Sequence, residues 1–188
     1  MPIAINGSGT LTGISVGGLP DGCVDRDTLA ATAKGSVLQV VSTKTTAHAA
    51  SSSTTWADNI SLAITPTATS SKILVQLSLA VGKANNHAML GRLLRNDVAL
   101  AGGVGDQGSH LDNVWMNIRN TEYNVAPYTV VYLDTTSLAD TSAITYKVQC
   151  RTSASSGGSY SINQTVTDGN NAYSSPSMSN LTLMEIAG

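Results

Sequence analysis

From residue 36 onward, apolar and polar residues alternate one by one along much of the chain. In the clearest stretch, Ile73, Val75 and Leu77 fall on one phase, while Lys72 and Gln76 fall on the other. A period of two predicts β-strands with one buried and one exposed face. The pattern predicts roughly eight to ten short strands, over residues 37–42, 60–64, 72–81, 88–94, 98–101, 114–118, 128–134, 144–152, 160–167 and 181–186.

Hardly any helical periodicity interrupts these strands. Short strands of this kind bury their apolar faces by packing two sheets together or by closing one sheet into a barrel. An eight-stranded jelly roll uses this number of strands well. We therefore expect an all-β head, residues 36–188, with the fold of a jelly-roll-like β-sandwich.

Two of the connections between strands are predicted from turn-forming residues. Pro66 ends the strand of residues 60–64, because proline has no amide hydrogen to donate to a neighbouring strand. Residues 65–71 are therefore predicted to be the turn of a hairpin. Asn96 and Asp97 tolerate turn conformations, so we expect a second hairpin between residues 88–94 and 98–101.

The first 35 residues show neither of these patterns. Small residues and frequent glycines separate single aliphatic side chains, so this segment has no continuous apolar face with which to form a core of its own. We expect an extended N-terminal arm, residues 1–35, with one short helix capped by Asp25 or Asp27 and ended by Gly35. The aliphatic residues expected to dock the arm onto another surface are Ile3, Ile5, Leu11, Ile14, Val16 and Leu19.

Composition narrows the possible partners. Charged residues make up 12% of the chain, the formal net charge is −2, and the lysines and arginines are scattered. This argues against a nucleic-acid partner and against an anionic membrane surface. No apolar run approaches the ~20 residues that span a bilayer, so no membrane insertion is expected. Abundant Ser and Thr suit strands whose exposed faces carry hydroxyl groups.

The two cysteines lie in different parts of the chain. Cys150 continues the apolar phase of the strand at residues 144–152, which predicts a buried thiol. A disulfide to Cys23 remains an alternative and would tie the arm to the head. Neither cysteine has further ligands near it in the sequence, so no metal site is expected.

The sequence carries no catalytic signature, and neither an enzyme nor a bound cofactor is expected. The three histidines lie in separate segments, and the aspartates lie mostly where turns favour them. A pair of acids for glycoside cleavage is the alternative, and Asp106 with Asp112 could bind calcium. The acidic residues from which such a pair would come are Asp97, Asp106, Asp112, Asp134, Asp140, Asp168, Glu122 and Glu185, and the three histidines are His48, His87 and His110.

The aromatic residues point to an oligomer. Trp115 lies out of phase with its apolar neighbours Val114 and Met116, so its indole is expected on the exposed face of the strand. Association of copies would bury that indole. It would also stabilise the short helix that contains Leu29, because so short a helix is marginal alone. Trp56 and Tyr160 are expected in the core or at an interface between subunits.

Three polar loops combine amide, imidazole and phenol groups, which together bind sugars well. The same residues also form ordinary surface turns, and both interpretations stay open. The possible contacts with a glycan or receptor are Asn85, Asn86, His87, His110, Asn170, Asn171 and Tyr173.

Several short blocks of this sequence are similar to one family. The N-terminal segment 13–30 resembles the corresponding segment of virion structural proteins of tailed bacteriophages, cyanophages in particular, of the tail-fibre or decoration type. Four further blocks show the same resemblance, at residues 64–75, 91–95, 145–149 and 181–187. The cysteine after the Pro-Asp-Gly turn of the arm departs from the pattern of the family, which has a small or charged residue there.

This resemblance implies a non-enzymatic homotrimer on the exterior of a phage particle. Its head would project outward, and its arm would be fixed to other virion proteins of the capsid or tail. The implied role is that of a short tail fibre or receptor-binding protein that contacts a host surface glycan. A capsid decoration or head-fibre protein is the alternative, and a carbohydrate-binding module is a further one.

Overall fold

The computed structural model describes residues 36–84, 87–100, 114–119, 124–153, 158–167 and 176–188. The predicted arm, with its docking residues, Cys23, Leu29 and its helix, lies outside these residues. Within them the chain forms strands and no helix, which confirms the all-β prediction. The strands are β1 (Val37–Thr45), β2 (Ala49–Ser51), β3 (Ala57–Ile64), β4 (Lys72–Ala84), β5 (Met89–Arg95), β6 (Val98–Ala99), β7 (Met116–Ile118), β8 (Val125–Asp134), β9 (Ile144–Thr152), β10 (Ser159–Ile162) and β11 (Ser179–Ile186).

The strands form two sheets, and every pair within them is antiparallel. In the six-stranded sheet, β4 pairs with β8 along one edge and with β11 and then β10 along the other. Strand β1 pairs with β11, and β2 pairs with β10. In the five-stranded sheet, β9 lies between β3 and β5, and the short strands β6 and β7 both pair with the far edge of β5.

The buried faces of the two sheets contribute to one hydrophobic core. Val75 and Leu79 from β4, Leu183 from β11 and Val148 from β9 are all completely buried in it. Their strands alternate buried and less buried positions, as the period-two pattern predicts. The sequence alone therefore identified which side of most strands faces the core.

Cys150 is buried in this core as a free thiol, as predicted. Burial raises its pKa to about 12, so the thiol stays protonated. The predicted core position of Tyr160 is also confirmed, because its side chain is buried and its hydroxyl donates to the Cys150 carbonyl oxygen at 3.2 Å.

The two hairpin predictions have opposite outcomes. Asn96 and Asp97 form the turn between β5 and β6, with φ angles of 47° and 65°. Both angles lie in the left-handed region that such turns require. The hairpin predicted at residues 65–71 is wrong, because β3 pairs with β9 while β4 belongs to the other sheet. The segment connects the sheets, and periodicity does not reveal which partner a strand chooses.

The strand predicted over residues 160–167 is shorter in the structure. Strand β10 ends at Ile162, and Asn163 adopts a φ of 64°. The chain then runs close over β4, where a Cβ atom on Gly82 would lie only 2.5 Å from the Gln164 carbonyl oxygen. A glycine at position 82 is what allows this close approach.

Candidate functional site

Most of the predicted glycan contacts lie outside the described residues. These are Asn85, Asn86, His110, Asn170, Asn171 and Tyr173. His87 is described, and it is half-buried in the connection between β4 and β5. A Cβ atom on Gly158 would lie 2.8 Å from the Cβ atom of His87, so these two residues lie against each other. His87 therefore lies beside the start of β10, and its contact with a glycan stays a prediction.

The expectation that Trp115 is exposed is wrong. Its indole is half-buried, packs against the core, and meets the Tyr132 ring edge-on with 4.8 Å between the ring centroids. The indole nitrogen donates to the Leu100 carbonyl oxygen at 3.0 Å. Trp115 precedes β7 instead of lying within it, so the alternation of that strand does not control its side chain. A role in an oligomer remains a prediction, but exposure of the indole no longer supports it.

His48, Asp134 and Asp140 each have a hydrogen-bond partner in the structure. His48 Nε2 lies 3.0 Å from the Ser161 hydroxyl oxygen. Asp140 accepts a hydrogen bond from the Ser142 amide at 2.8 Å, and Asp134 accepts one from the Thr136 amide at 2.9 Å. These two bonds confirm both aspartates as turn formers. Among the described residues, no group of three or more His, Cys, Asp or Glu side chains could hold a metal ion.

Asp134 is also the centre of a buried polar cluster that the sequence did not predict. It is 2% exposed, it accepts a hydrogen bond from the Tyr146 hydroxyl at 2.7 Å, and the Arg95 guanidinium lies 3.3 Å away. Burial and the bond to Asp134 raise the Tyr146 pKa, which keeps the phenol as a donor. Arg95 also lines a cavity of about 260 Å³ between the β5–β6 turn and the β8–β9 connection.

Glu185 is the second buried acid at this end of the sheets. Its oxygens accept hydrogen bonds from Ser71 Oγ at 2.6 Å, Thr67 N at 2.7 Å, Thr67 Oγ1 at 2.8 Å and Gln39 Nε2 at 2.7 Å. Thr67 and Ser71 belong to the connection between the sheets, and Gln39 belongs to β1. The carboxylate therefore fastens the β3–β4 connection to the six-stranded sheet.

The pKa of Glu185 makes the stability of the head depend on pH. Burial raises this pKa, but the hydrogen bonds from Ser71, Gln39 and Thr67 together outweigh burial, and the net pKa is below its usual value of 4.5. A carboxyl with a lowered folded-state pKa stabilises the fold at higher pH, and that stabilisation is lost as pH falls through the lowered value.

We expect the wild-type protein to lose more stability than Glu185→Gln as the pH falls from about 5 to about 3. Urea denaturation at a series of pH values measures both slopes. The difference between the two proteins isolates Glu185 from the other carboxyl groups. Parallel slopes for the two proteins would contradict the assignment of Glu185 as the source.

The outer face of the five-stranded sheet carries the candidate recognition surface. The Arg92 and Arg151 guanidinium carbons lie 4.4 Å and 4.8 Å from the centroid of the Trp56 ring. Arg92 Nε and Nη2 donate to Gln149 Oε1 at 2.8 Å and 2.6 Å, and Gln149 Nε2 donates to Asp58 Oδ1 at 2.6 Å. We call these residues, Trp56, Arg92, Arg151, Gln149 and Asp58, the Trp56 patch.

The Trp56 patch is held in place by its own contacts. Hydrogen bonds from Gln149 and Lys147 lower the pKa of Asp58, so this carboxylate is ionised at neutral pH. Lys147 Nζ lies 3.0 Å from Asp58 Oδ2 and 2.7 Å from Asp97 Oδ1, which extends the network toward the β5–β6 turn. The Trp56 patch therefore brings an indole, an amide and both signs of charge together on one outer face.

Sequence reasoning gave Trp56 a place in the core or at an interface, and it missed the rest of the patch. The half-buried indole lies against two arginines instead of the apolar core. The available signal was the polar phase of β9, in which Gln149 alternates with the buried Val148 and Cys150. Strand β5 gives no such signal, because Leu90 and Leu94 share the phase of Arg92 and are buried. The phase of β9 places polar side chains on an outer face but does not show what they meet.

No protein-family model matches the chain, and no curated protein matches it with significant similarity. Among the described residues, no helix is long and apolar enough to cross a membrane.

Proposed function

We propose that this chain is a non-enzymatic structural protein of a tailed-bacteriophage virion, exposed on the exterior of the particle. In this proposal it is a homotrimeric short tail fibre or receptor-binding protein, with an N-terminal arm, residues 1–35, that attaches it to other virion proteins. The similarity of the arm segment 13–30 and of four head blocks to such proteins supports the proposal.

The observation that carries the proposal is the order in which the chain visits its two sheets. Strands β1, β11, β4 and β8 lie side by side in one sheet, and β3, β9, β5 and the β6–β7 pair lie side by side in the other. We propose that β1–β2, β6–β7 and β10–β11 each count as one interrupted strand, which would give the two sheets the strand order of an eight-stranded jelly roll. Jelly rolls occur in viral capsid proteins and in lectins, and the fold therefore supports a virion role without defining it alone.

Receptor contact would involve the head. We assign this contact to His87 and to the Trp56 patch. A capsid decoration or head-fibre protein remains the alternative within the same class. A carbohydrate-binding module is the second candidate function, and the Trp56 patch favours it, because indole and amide groups are suited to sugar recognition.

The attachment of the arm is tested with the full-length chain. We expect the double variant Ile14→Asp and Val16→Asp to be largely lost from purified phage particles, because aspartate would place unpaired charge in an apolar docking site. Quantitative immunoblotting of particles against an internal capsid standard measures the loss. The control is Val98→Asp, an exposed position of the head. Incorporation of the arm variant at the wild-type level would contradict attachment through the arm.

A further inference from the structure

The outer face of the six-stranded sheet carries a continuous row of apolar side chains. The registers place Val40 of β1 opposite Met184 of β11, Met184 opposite Leu74 of β4, and Leu74 opposite Leu133 of β8. We call these four residues the apolar row. With strands about 4.8 Å apart, the row extends roughly 15 Å across the sheet.

Much of this row is exposed to solvent in the single chain. Val40 is 55% exposed and Leu133 is 42% exposed, while Leu74 and Met184 are half-buried between them. Val131, two residues before Leu133 on the same face of β8, is 61% exposed and widens the apolar surface. Exposed apolar side chains that adjoin one another in this way mark surfaces that bind another molecule.

The residues around the row indicate what that molecule is. The adjoining row contains Ser42, Thr182 and Gln76, which carry hydroxyl and amide groups. On the described outer faces of these four strands, the charged residues are Lys44 and Lys72, one at each end of the face. A partner with a strongly basic surface would have no carboxylates to pair with on these described faces. The same face on further copies, gathered around a common axis, would bury apolar groups against apolar groups with little charge desolvation.

The opposite side of the head differs in this respect. The outer face of the five-stranded sheet carries Asp58, Lys147, Arg92 and Arg151, joined by ion pairs and stacking contacts. Burying that face would remove these charged groups from water at considerable cost. The two faces are thus suited to different roles, one to contact between copies and one to contact with solvent or a polar ligand.

We infer that copies of this chain associate through the apolar row. This inference rests on the proposed homotrimer and assigns a surface to it. Four strands by about seven residues give a face of roughly 450 Å². A stable interface buries about 800 Å² on each partner, so the face supplies the central part of such an interface, and its surroundings supply the rest.

The test is sedimentation of the purified full-length chain from about 1 to about 100 μM. We expect the wild-type chain to associate, and Val40→Lys to raise the dissociation constant at least tenfold, because a lysine within the contact buries a charge. Val98→Lys is the matched control: Val98 is a 69% exposed valine on β6 of the other sheet, and its substitution should leave association unchanged. Circular dichroism verifies that each variant is folded.

A second variant and a footprinting measurement on the wild-type chain test the same surface independently of Val40→Lys. Leu133→Lys should weaken association like Val40→Lys, although it lies at the other end of the row. Radical footprinting of the wild-type chain should show protection of Met184 and Leu133 at the higher concentration. Monomeric wild-type protein over the whole range, unchanged association in folded variants, or unprotected row residues in the associated chain would each overturn the inference. None of these measurements uses virions, so their outcome is independent of the proposed virion role.

Discussion

Replacing Glu185 by alanine is expected to lower the free energy of unfolding by about 3 kcal/mol. Glu185 is fully buried, and its carboxylate accepts four hydrogen bonds from Ser71, Thr67 and Gln39. Alanine would leave the buried Ser71 hydroxyl without its acceptor and would remove the acceptor of Thr67 N and Oγ1, while Gln39 Nε2 would keep its bond to the Thr65 carbonyl oxygen. A buried donor left without an acceptor retains its desolvation cost. Urea denaturation at neutral pH measures the loss as a lower midpoint with an unchanged slope.

Two variants separate this effect from a general loss of charge. Glu185→Gln keeps the shape and one acceptor oxygen, so it should destabilise the head less than alanine does. Asp140→Ala removes an exposed carboxylate that accepts one bond from the Ser142 amide, and it should change stability little. Equal effects of Glu185→Ala and Asp140→Ala would contradict the role of Glu185 in fastening the β3–β4 connection.

Replacing Asp134 by alanine is expected to cost about 2 kcal/mol of stability. The substitution would leave the Tyr146 hydroxyl without its acceptor and the Arg95 guanidinium without its counter-ion. The Arg95 side chain is 16% exposed, so water offsets part of the lost interaction. Thermal and urea denaturation of the variant measure the loss.

The matched control is the ion pair between Asp58 and Lys147 on the outer face. Asp58 has a side chain that is 55% exposed, and Asp58→Ala should change stability much less than Asp134→Ala, because exposed ion pairs contribute little. Tyr146→Phe should fall between the two, since it removes the donor but leaves Arg95 paired with Asp134. A loss from Asp58→Ala as large as that from Asp134→Ala would show that burial does not determine the contribution.

The parts of the fold that were predictable depend on neighbours in the sequence. The alternation of Ile73, Val75 and Leu77 predicts β4 and its buried face, because a strand exposes successive side chains to opposite sides. The turn at Asn96 and Asp97 was equally predictable, since both residues favour the left-handed backbone that the hairpin needs.

The parts that were not predictable depend on partners far along the chain. Residues 65–71 form a crossing between sheets because β3 pairs with β9, about ninety residues away at Asp58 and Gln149, and local pattern does not encode that choice. The local pattern around Glu185 predicts no buried role for it, because its donors come from residues 114 to 146 positions earlier. Trp115 was misplaced because its side chain follows the packing of Tyr132 and not the phase of β7.

The same limit applies to the candidate sites. The Trp56 patch combines residues from β3, β5, β9 and the segment before β3, and only the pairing of these strands brings them together. The apolar row likewise takes one residue from each of four strands. Each residue looks like an isolated surface hydrophobe in the sequence, and the registers of the sheet make them adjacent.

The proposed virion role is tested most directly by electron microscopy of purified phage particles labelled with antibodies against the chain. The proposal predicts that label binds at defined positions on the exterior of intact particles, either at the tail or on the capsid surface. Label at the tail would support the tail-fibre role, and label distributed over the capsid would support the decoration alternative. Particles that carry no label, although the chain is present in the same infected cells, would contradict the proposal.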